Sequence, residues 1–232
     1  MLTDTRSIGY HPWWAHQIAL TKPESKRKHY ESLLLSPSSS GEDLAAFEKI
    51  LENQPEPRLL DDILSEVRKN VLDFPNALVG EIGLDRAVRI PYDYDATPRI
   101  LSSFTIPFEH QLKIFEVQLE LAVELKRNVS MHSVKAHDAT LQVWERMSNK
   151  FGDKFWDVSV DLHSCGFSAQ MWKDIEVRPQ RCRLTFLLTI PCTSAPIEKI
   201  LQRFRLTFSH SQRPLRESQE AHRDRLPQTT SR

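Results

Sequence analysis

The sequence predicts an α/β protein built from βαβ units around a parallel sheet. Three observations carry this. Short apolar runs of strand character occur at about 77–85, 128–133 and 157–163. Helices with one apolar face occupy the intervals between them, and strands alternating with helices of this length are the signature of parallel pairing. Finally, three residues able to bind a cation, Glu81, His132 and His163, are each read at the C-terminal end of one of those strands.

Taken in order, Ser7-Ile8-Gly9-Tyr10 reads as a short strand entering His11-Pro12-Trp13-Trp14. Residues 21–43 read as an irregular insertion, because Pro23, Pro37 and a serine cluster break any period. Lys26-Arg27-Lys28 within it is a weak nuclear-localisation pattern, better explained as solvated charge. Helices are predicted at about 43–53 and 59–70, the second with Leu60, Ile63, Leu64 and Val67 on one face. Ala77–Asp85 is the next strand, and a Pro/Tyr/Asp-rich loop is expected over 86–103.

The clearest helix covers about 107–126, where Phe108, Leu112, Phe115, Leu119 and Ala122 recur at spacings of four and three, with Pro107 in its first turn. Strand 128–133 follows, then a helix at about 138–150 carrying Leu141, Trp144 and Met147. In the strand at 157–163, Val158, Val160 and Leu162 alternate with Ser159, Asp161 and His163. After 178 only Arg183–Ile190 has strand character.

Charge divides the 232 residues in two. Residues 1–177 carry 20 basic and 27 acidic side chains, whereas 178–232 carry 11 and 4, so a zero net charge hides an acidic body and a basic tail. The tail charges are scattered among Gln, Ser, Thr and Pro, which predicts a divergent, partly disordered segment rather than a nucleic-acid patch. No apolar run reaches the roughly 18 residues that span a bilayer, and the N-terminus lacks a signal-peptide core. Cys165, Cys182 and Cys192 are odd in number and form no CxxC, which suits a reducing intracellular setting, cytoplasm or nucleus, and excludes finger-type zinc.

In a β/α barrel the C-terminal edges of all strands converge on one mouth. Glu81, His132 and His163 there form a credible ligand set for a divalent ion. Four of the six glycines, Gly9, Gly80, Gly83 and Gly166, lie within three residues of His11, Glu81 or His163. Trp13 and Trp14 are read first as packing under the insertion, with base stacking at the mouth as the alternative. Cys165, beside His163, is read as a free thiol.

Gly80-Glu81-Ile82-Gly83-Leu84-Asp85 resembles the G-E-I-G-L-D stretch of the TatD family of metal-dependent hydrolases. Phe108-Glu109-His110-Gln111-Leu112, Met131-His132-Ser133, Leu162-His163-Ser164-Cys165-Gly166 and Gly9-Tyr10-His11-Pro12 resemble further motifs of that family in the same order, over about residues 7–170. The resemblance implies a TIM-type β/α barrel of the amidohydrolase kind, one or two divalent metal ions (Mg, Mn or Zn), and hydrolysis of phosphodiester bonds, chiefly in DNA. Glu81, His132 and His163 would then be metal ligands, with Glu81 also catalytic, and His11 would contact substrate or support a ligand.

Tyr10-His11-Pro12-Trp13-Trp14 and the insertions look most like a fungal branch described as interacting with an anaphase-promoting-complex subunit. That implies a possible protein partner in a cell-cycle complex and, as the alternative function, a non-catalytic interaction barrel presenting 21–43 and 86–103. The family's opening D-x-H-x-H strand and closing E-T/S-D motif are not found in this sequence. The resemblance therefore implies an incomplete barrel, with four or five of eight strands, and impaired activity. Residues 1–177 would form its body and 178–232 an altered C-terminus.

Overall fold

The computed structural model describes residues 6–166 together with the backbone of Leu184–Thr185. Strand β1 (Ser7–Ile8) leads into a 3-10 helix over Pro12–Gln17 and then β2 (Ile18–Ala19). Helices α1 (Lys26–Leu34) and α2 (Gly41–Asn53) follow, then β3 (Arg58–Leu59), α3 (Leu60–Asp73) and β4 (Leu78–Asp85). Strands β5 (Arg89–Pro91) and β6 (Leu101–Thr105) precede α4 (Phe108–Leu125), β7 (Val129–Val134) and α5 (His137–Phe151). The described chain closes with α6 (Asp153–Trp156), β8 (Val160–His163) and β9 (Leu184–Thr185).

Among the described residues, the main sheet has five strands in the order β1-β4-β7-β8-β9, every pair parallel. With helices crossing between its strands, it forms an arc of a β/α barrel, as the alternation of elements predicts. Val79, Ile82, Leu84, Val129, Met131, Val160 and Leu162 send their side chains into one core with Ile63, Val67 and Val71 of α3, Phe115, Leu119 and Ala122 of α4, and Val143 and Met147 of α5. Each such aliphatic burial is worth roughly 1.5–3 kcal/mol, so this shared core holds the arc and its helices together.

Two expectations need correction. Residues 21–43 are not irregular: α1 and the start of α2 occupy them. The prolines lie outside both helices, Ser25 accepts a hydrogen bond from the Lys28 N–H (3.2 Å), and Ser40 and Asp43 form a reciprocal capping box. Tyr30, Phe47 and Ile50 of these helices are fully buried. Residues 86–103 are not merely a loop either, since β5 and β6 pair antiparallel. The alternation of β6 buries Ser102 and Phe104, and the Ser102 hydroxyl donates to the Ile90 carbonyl at 2.6 Å.

Smaller differences have local causes. Pro107 caps α4 rather than entering its first turn, its carbonyl accepting from His110 and Gln111 N–H groups at 3.1 Å. The strand expected at 157–163 is shortened to Val160–His163 because α6 and its closing turn occupy the preceding residues. Leu184–Thr185 realises part of the strand expected over 183–190. The rest of the basic segment 178–232, with Cys182 and Cys192, lies outside the described residues.

Candidate metal centre

Four side chains converge at one edge of the sheet: His11 follows β1, His132 lies near the end of β7 and His163 closes β8, whereas Glu81, expected at a strand end, stands in the middle of β4. His132 of β7 is in direct register with His163 of β8 on one side and Gly83 of β4 on the other. Gly83 makes that register possible. Its φ is +148°, and a β-carbon there would collide with the His132 carbonyl. The β4–β7 register shifts between Val79 and Ile82, in the stretch that carries Glu81.

The Glu81 carboxylate stands between two imidazoles, with His163 Nε2 3.3 Å from one oxygen and His11 Nε2 3.5 Å from the other. The rings of His11 and His132 are 4.4 Å apart and those of His132 and His163 5.9 Å. One donor atom each from His11, Glu81 and His132 lies within 4.8 Å of the others. All four residues read from the sequence are thus brought together. His11, read there as contacting substrate or supporting a ligand, stands inside the cluster with Glu81 and His132.

Helix α4 fixes both approaches to the site through side-chain amides. Gln118 accepts from the Tyr10 N–H at 2.8 Å and donates to the Tyr10 carbonyl at 3.2 Å, which anchors the residue before His11. Gln111 does the same for Asp85, accepting from its N–H at 2.9 Å and donating to its carbonyl at 3.0 Å. His110, on the same helix, is 2.9 Å from the Ala15 carbonyl and holds the 3-10 helix. These amides replace the ladder partners that the backbone lacks where the strands stop.

Protonation suits cation binding. Burial, helped by the neighbouring His132, pushes the His11 imidazole down to about 4, so it is neutral near pH 7, with Nδ1 accepting from the Trp13 N–H at 3.2 Å. The His163 imidazole beside it holds Glu81 below the usual carboxylate range, against the opposing effect of burial. The buried Nε2 of His163 has no well-formed hydrogen bond despite its nearness to Glu81. Three imidazoles and a carboxylate form a nitrogen–oxygen donor set appropriate to zinc, manganese or a similar ion. A buried nitrogen aimed at a carboxylate without a good bond to it is a ligand position that the protein itself does not satisfy, and the residues present fit the group.

Two residues beside the cluster were not assigned to it from the sequence. Asp85, at the end of β4, is buried and accepts from Trp13 Nε1 (2.6 Å), Ala87 N–H (2.7 Å) and Val88 N–H (3.1 Å), with His132 Nε2 at 3.2 Å. Burial alone would raise its pKa, yet the bonds from His132, Trp13 and Ala87 hold it below the ordinary value. Strand parity was the available signal, since residues 81, 83 and 85 share a face. Trp13 stays 46% exposed rather than packing away, whereas Trp14 lies against Tyr94 with ring centres 4.6 Å apart. Cys165 is half-buried, its thiol donating to the Leu162 carbonyl at 3.9 Å.

Among curated proteins, the chain is 36% identical over 143 residues to the Cut9-interacting protein scn1 of Schizosaccharomyces pombe, covering 56% of this chain and 40% of that protein. It is 27% identical over 134 residues to an uncharacterized deoxyribonuclease of Saccharomyces cerevisiae, with the same two coverages. The chain therefore spans about 40% of the length of the curated relatives it matches. A crystal structure of an uncharacterized amidohydrolase from Saccharomyces cerevisiae aligns at 19% identity and a TM-score of 0.42, over 77% of this chain and 47% of that one. The family described as TatD related DNase matches residues 5–178, the stretch that supplies four of the five sheet strands and all four converging side chains, and the chain belongs to that family.

Proposed function

We propose that this chain carries the metal-binding half-site of a hydrolase acting on phosphodiester bonds, with DNA as the substrate class. The observation that supports it best is the convergence of His11, Glu81, His132 and His163, drawn from four separated segments, on one carboxylate. Glu81, His132 and His163 would hold the ion, and His11 is placed to join them or to meet substrate. A divalent ion bound there supplies a lowered pKa for water and stabilisation of charge on phosphate oxygens. Glu81, 45% exposed, is the member that reaches the solvent side, where it can accept a proton from an incoming water. Asp85 and Gln111 keep the β4 end rigid, and Asp85 orients His132.

The direct test is metal analysis after dialysis against zinc, manganese or magnesium, repeated with Glu81→Gln, His132→Ala and His163→Ala. One ion per chain, lost in each variant, is expected. Two tightly held ions would show that the ligand set is larger than these residues, and unchanged content in all three variants would refute the reading. Release of nucleotides from end-labelled DNA, abolished by Glu81→Gln, tests the activity. With one carboxylate and three imidazoles to work with, turnover by this chain is expected to be weak. A second reading, a protein-docking role, is supported by the name of the Schizosaccharomyces pombe relative and by Leu44, 49% exposed on α2. Pull-down with and without substitutions on α2 tests it.

A further inference from the structure

Trp13 combines two properties that ordinarily exclude each other. It is 46% exposed, yet its indole N–H is tied at 2.6 Å to the buried Asp85 carboxylate. A surface tryptophan normally samples several rotamers, and fixing one costs side-chain entropy. Here that ordering is already made, by the same carboxylate that faces His132. The indole stands 5.0 Å from the His11 ring and 6.3 Å from the His132 ring, close to perpendicular to both. An aromatic surface set in advance thus stands beside the cluster.

The charge of the site says what that surface is for. Glu81 brings a half-exposed carboxylate to the mouth, which opposes the approach of a phosphate chain until an ion is bound. An attraction indifferent to this repulsion is needed, and stacking on a nucleobase supplies one that is tolerant of sequence. A base inside a duplex has both faces covered, so only an unpaired base can stack in this way. We infer that Trp13 is a stacking platform for the unpaired terminal base of single-stranded DNA, beside the cluster that would hold its phosphodiester. This rests on the hydrolase reading above and adds a base-binding subsite to it. Trp14, the next residue of the 3-10 helix, packs instead against Tyr94.

The experiment is direct binding by the full chain with magnesium present, using a phosphorothioate oligothymidylate that resists cleavage and a second oligonucleotide abasic at both ends. Fluorescence anisotropy of a label placed internally reads affinity. Trp13→Ala is expected to weaken binding of the normal strand roughly 5- to 100-fold, the range that one lost base–aromatic stack gives. It should change binding of the abasic strand by less than about 2-fold. Trp13→Phe, which keeps a ring and loses the tie to Asp85, should fall between. Equal losses on both strands would mean that Trp13 acts only through the fold around Asp85 and would overturn the inference. It is overturned as well if duplex DNA with paired ends shows the same Trp13 dependence as the single strand.

Metal content of the wild-type chain, measured in parallel, separates the two failures. Loss of the base effect with one ion retained refutes the stacking platform alone. A chain that takes up no metal and binds both strands equally refutes the hydrolase reading and this inference with it.

Discussion

Replacing Asp85 with asparagine is the most informative single perturbation of this molecule. The side chain keeps its size, so the consequences come from charge and donor geometry. Asp85 now serves four N–H groups: Ala87 and Val88 on one oxygen, Trp13 and His132 on the other. The asparagine oxygen can keep the Ala87 and Val88 donors, which leaves its NH2 facing the Trp13 N–H, donor against donor. His132 can change tautomer and accept, but Trp13 cannot. Hydrogen bonds to a charged group are worth about 1.5–3 kcal/mol and those between neutral groups about half as much. One lost bond plus two weakened ones, partly screened on the exposed Trp13 side, gives a destabilisation of about 2–4 kcal/mol.

For a chain of this size each kcal/mol lowers Tm by roughly 2–4 °C, so a fall on the order of 10 °C is expected in a thermal melt followed by circular dichroism. His132 would also lose its orienting partner, an effect that typically costs about 10- to 100-fold in metal affinity, readable by competition with a chromophoric chelator. A melt within about 2 °C of wild type together with unchanged metal affinity would refute the reasoning. Asp85 would then be a bystander to both the fold and the cluster.

Other substitutions probe the scaffold. Gly83→Ala should cost several kcal/mol or abolish soluble expression, since its φ and its contact with the His132 backbone both exclude a β-carbon, whereas Gly41→Ala, with nothing within 4 Å, should change urea stability by no more than about 1 kcal/mol. Gln118→Met leaves the N–H and carbonyl of Tyr10 without partners and should cost about 2–4 kcal/mol in the same assay. His16 tests pH dependence: burial pushes it down to about 4, below its ordinary 6.5. Between those values the unfolded chain takes up a proton that the folded chain refuses, so stability falls on acidification from pH 7 to pH 4. The loss attributable to His16 is up to about 3 kcal/mol. Urea melts at about pH 7 and about pH 5 should show a smaller difference for His16→Gln than for wild type, and an equal difference would count against a neutral, buried His16.

The sheet was legible in the sequence because β4 and β7 are short apolar runs buried along most of their length, β8 alternates apolar with polar residues, and Ile63, Val67, Phe115 and Leu119 repeat at helical spacing. His132 and His163 were legible because they lie near strand ends, which share an edge in a β/α arc, and Glu81 through the Gly80–Asp85 motif around it, although it stands mid-strand. Helix α1 was not, since only His29 and Tyr30 are buried in it and its face is otherwise charged, so periodicity gave no signal and Pro23 and Pro37 dominated. The β5–β6 pair was missed for a similar reason: the three residues of β5 are too few to alternate. The closeness of His11 to Glu81 depends on Gln118 holding Tyr10 across 108 positions of sequence, and the partnership of Asp85 with Trp13 spans 72. No local pattern encodes contacts of that range.

Separation along the chain also governs when the cluster can exist. His11 is made early and His163 comes 152 residues later. At a synthesis rate of about 5–20 residues per second, the first imidazole waits on the order of 10–30 s for the last. During that interval β4 has Glu81 but no β8 beside β7, and β7 presents a parallel edge with nothing yet bonded to it. Parallel pairing over such distances is entropically expensive to close and correspondingly slow. The four side chains therefore report completion of the sheet: a nascent or clipped chain ending before Val160 holds three of them at most, and cannot offer His163 to Glu81.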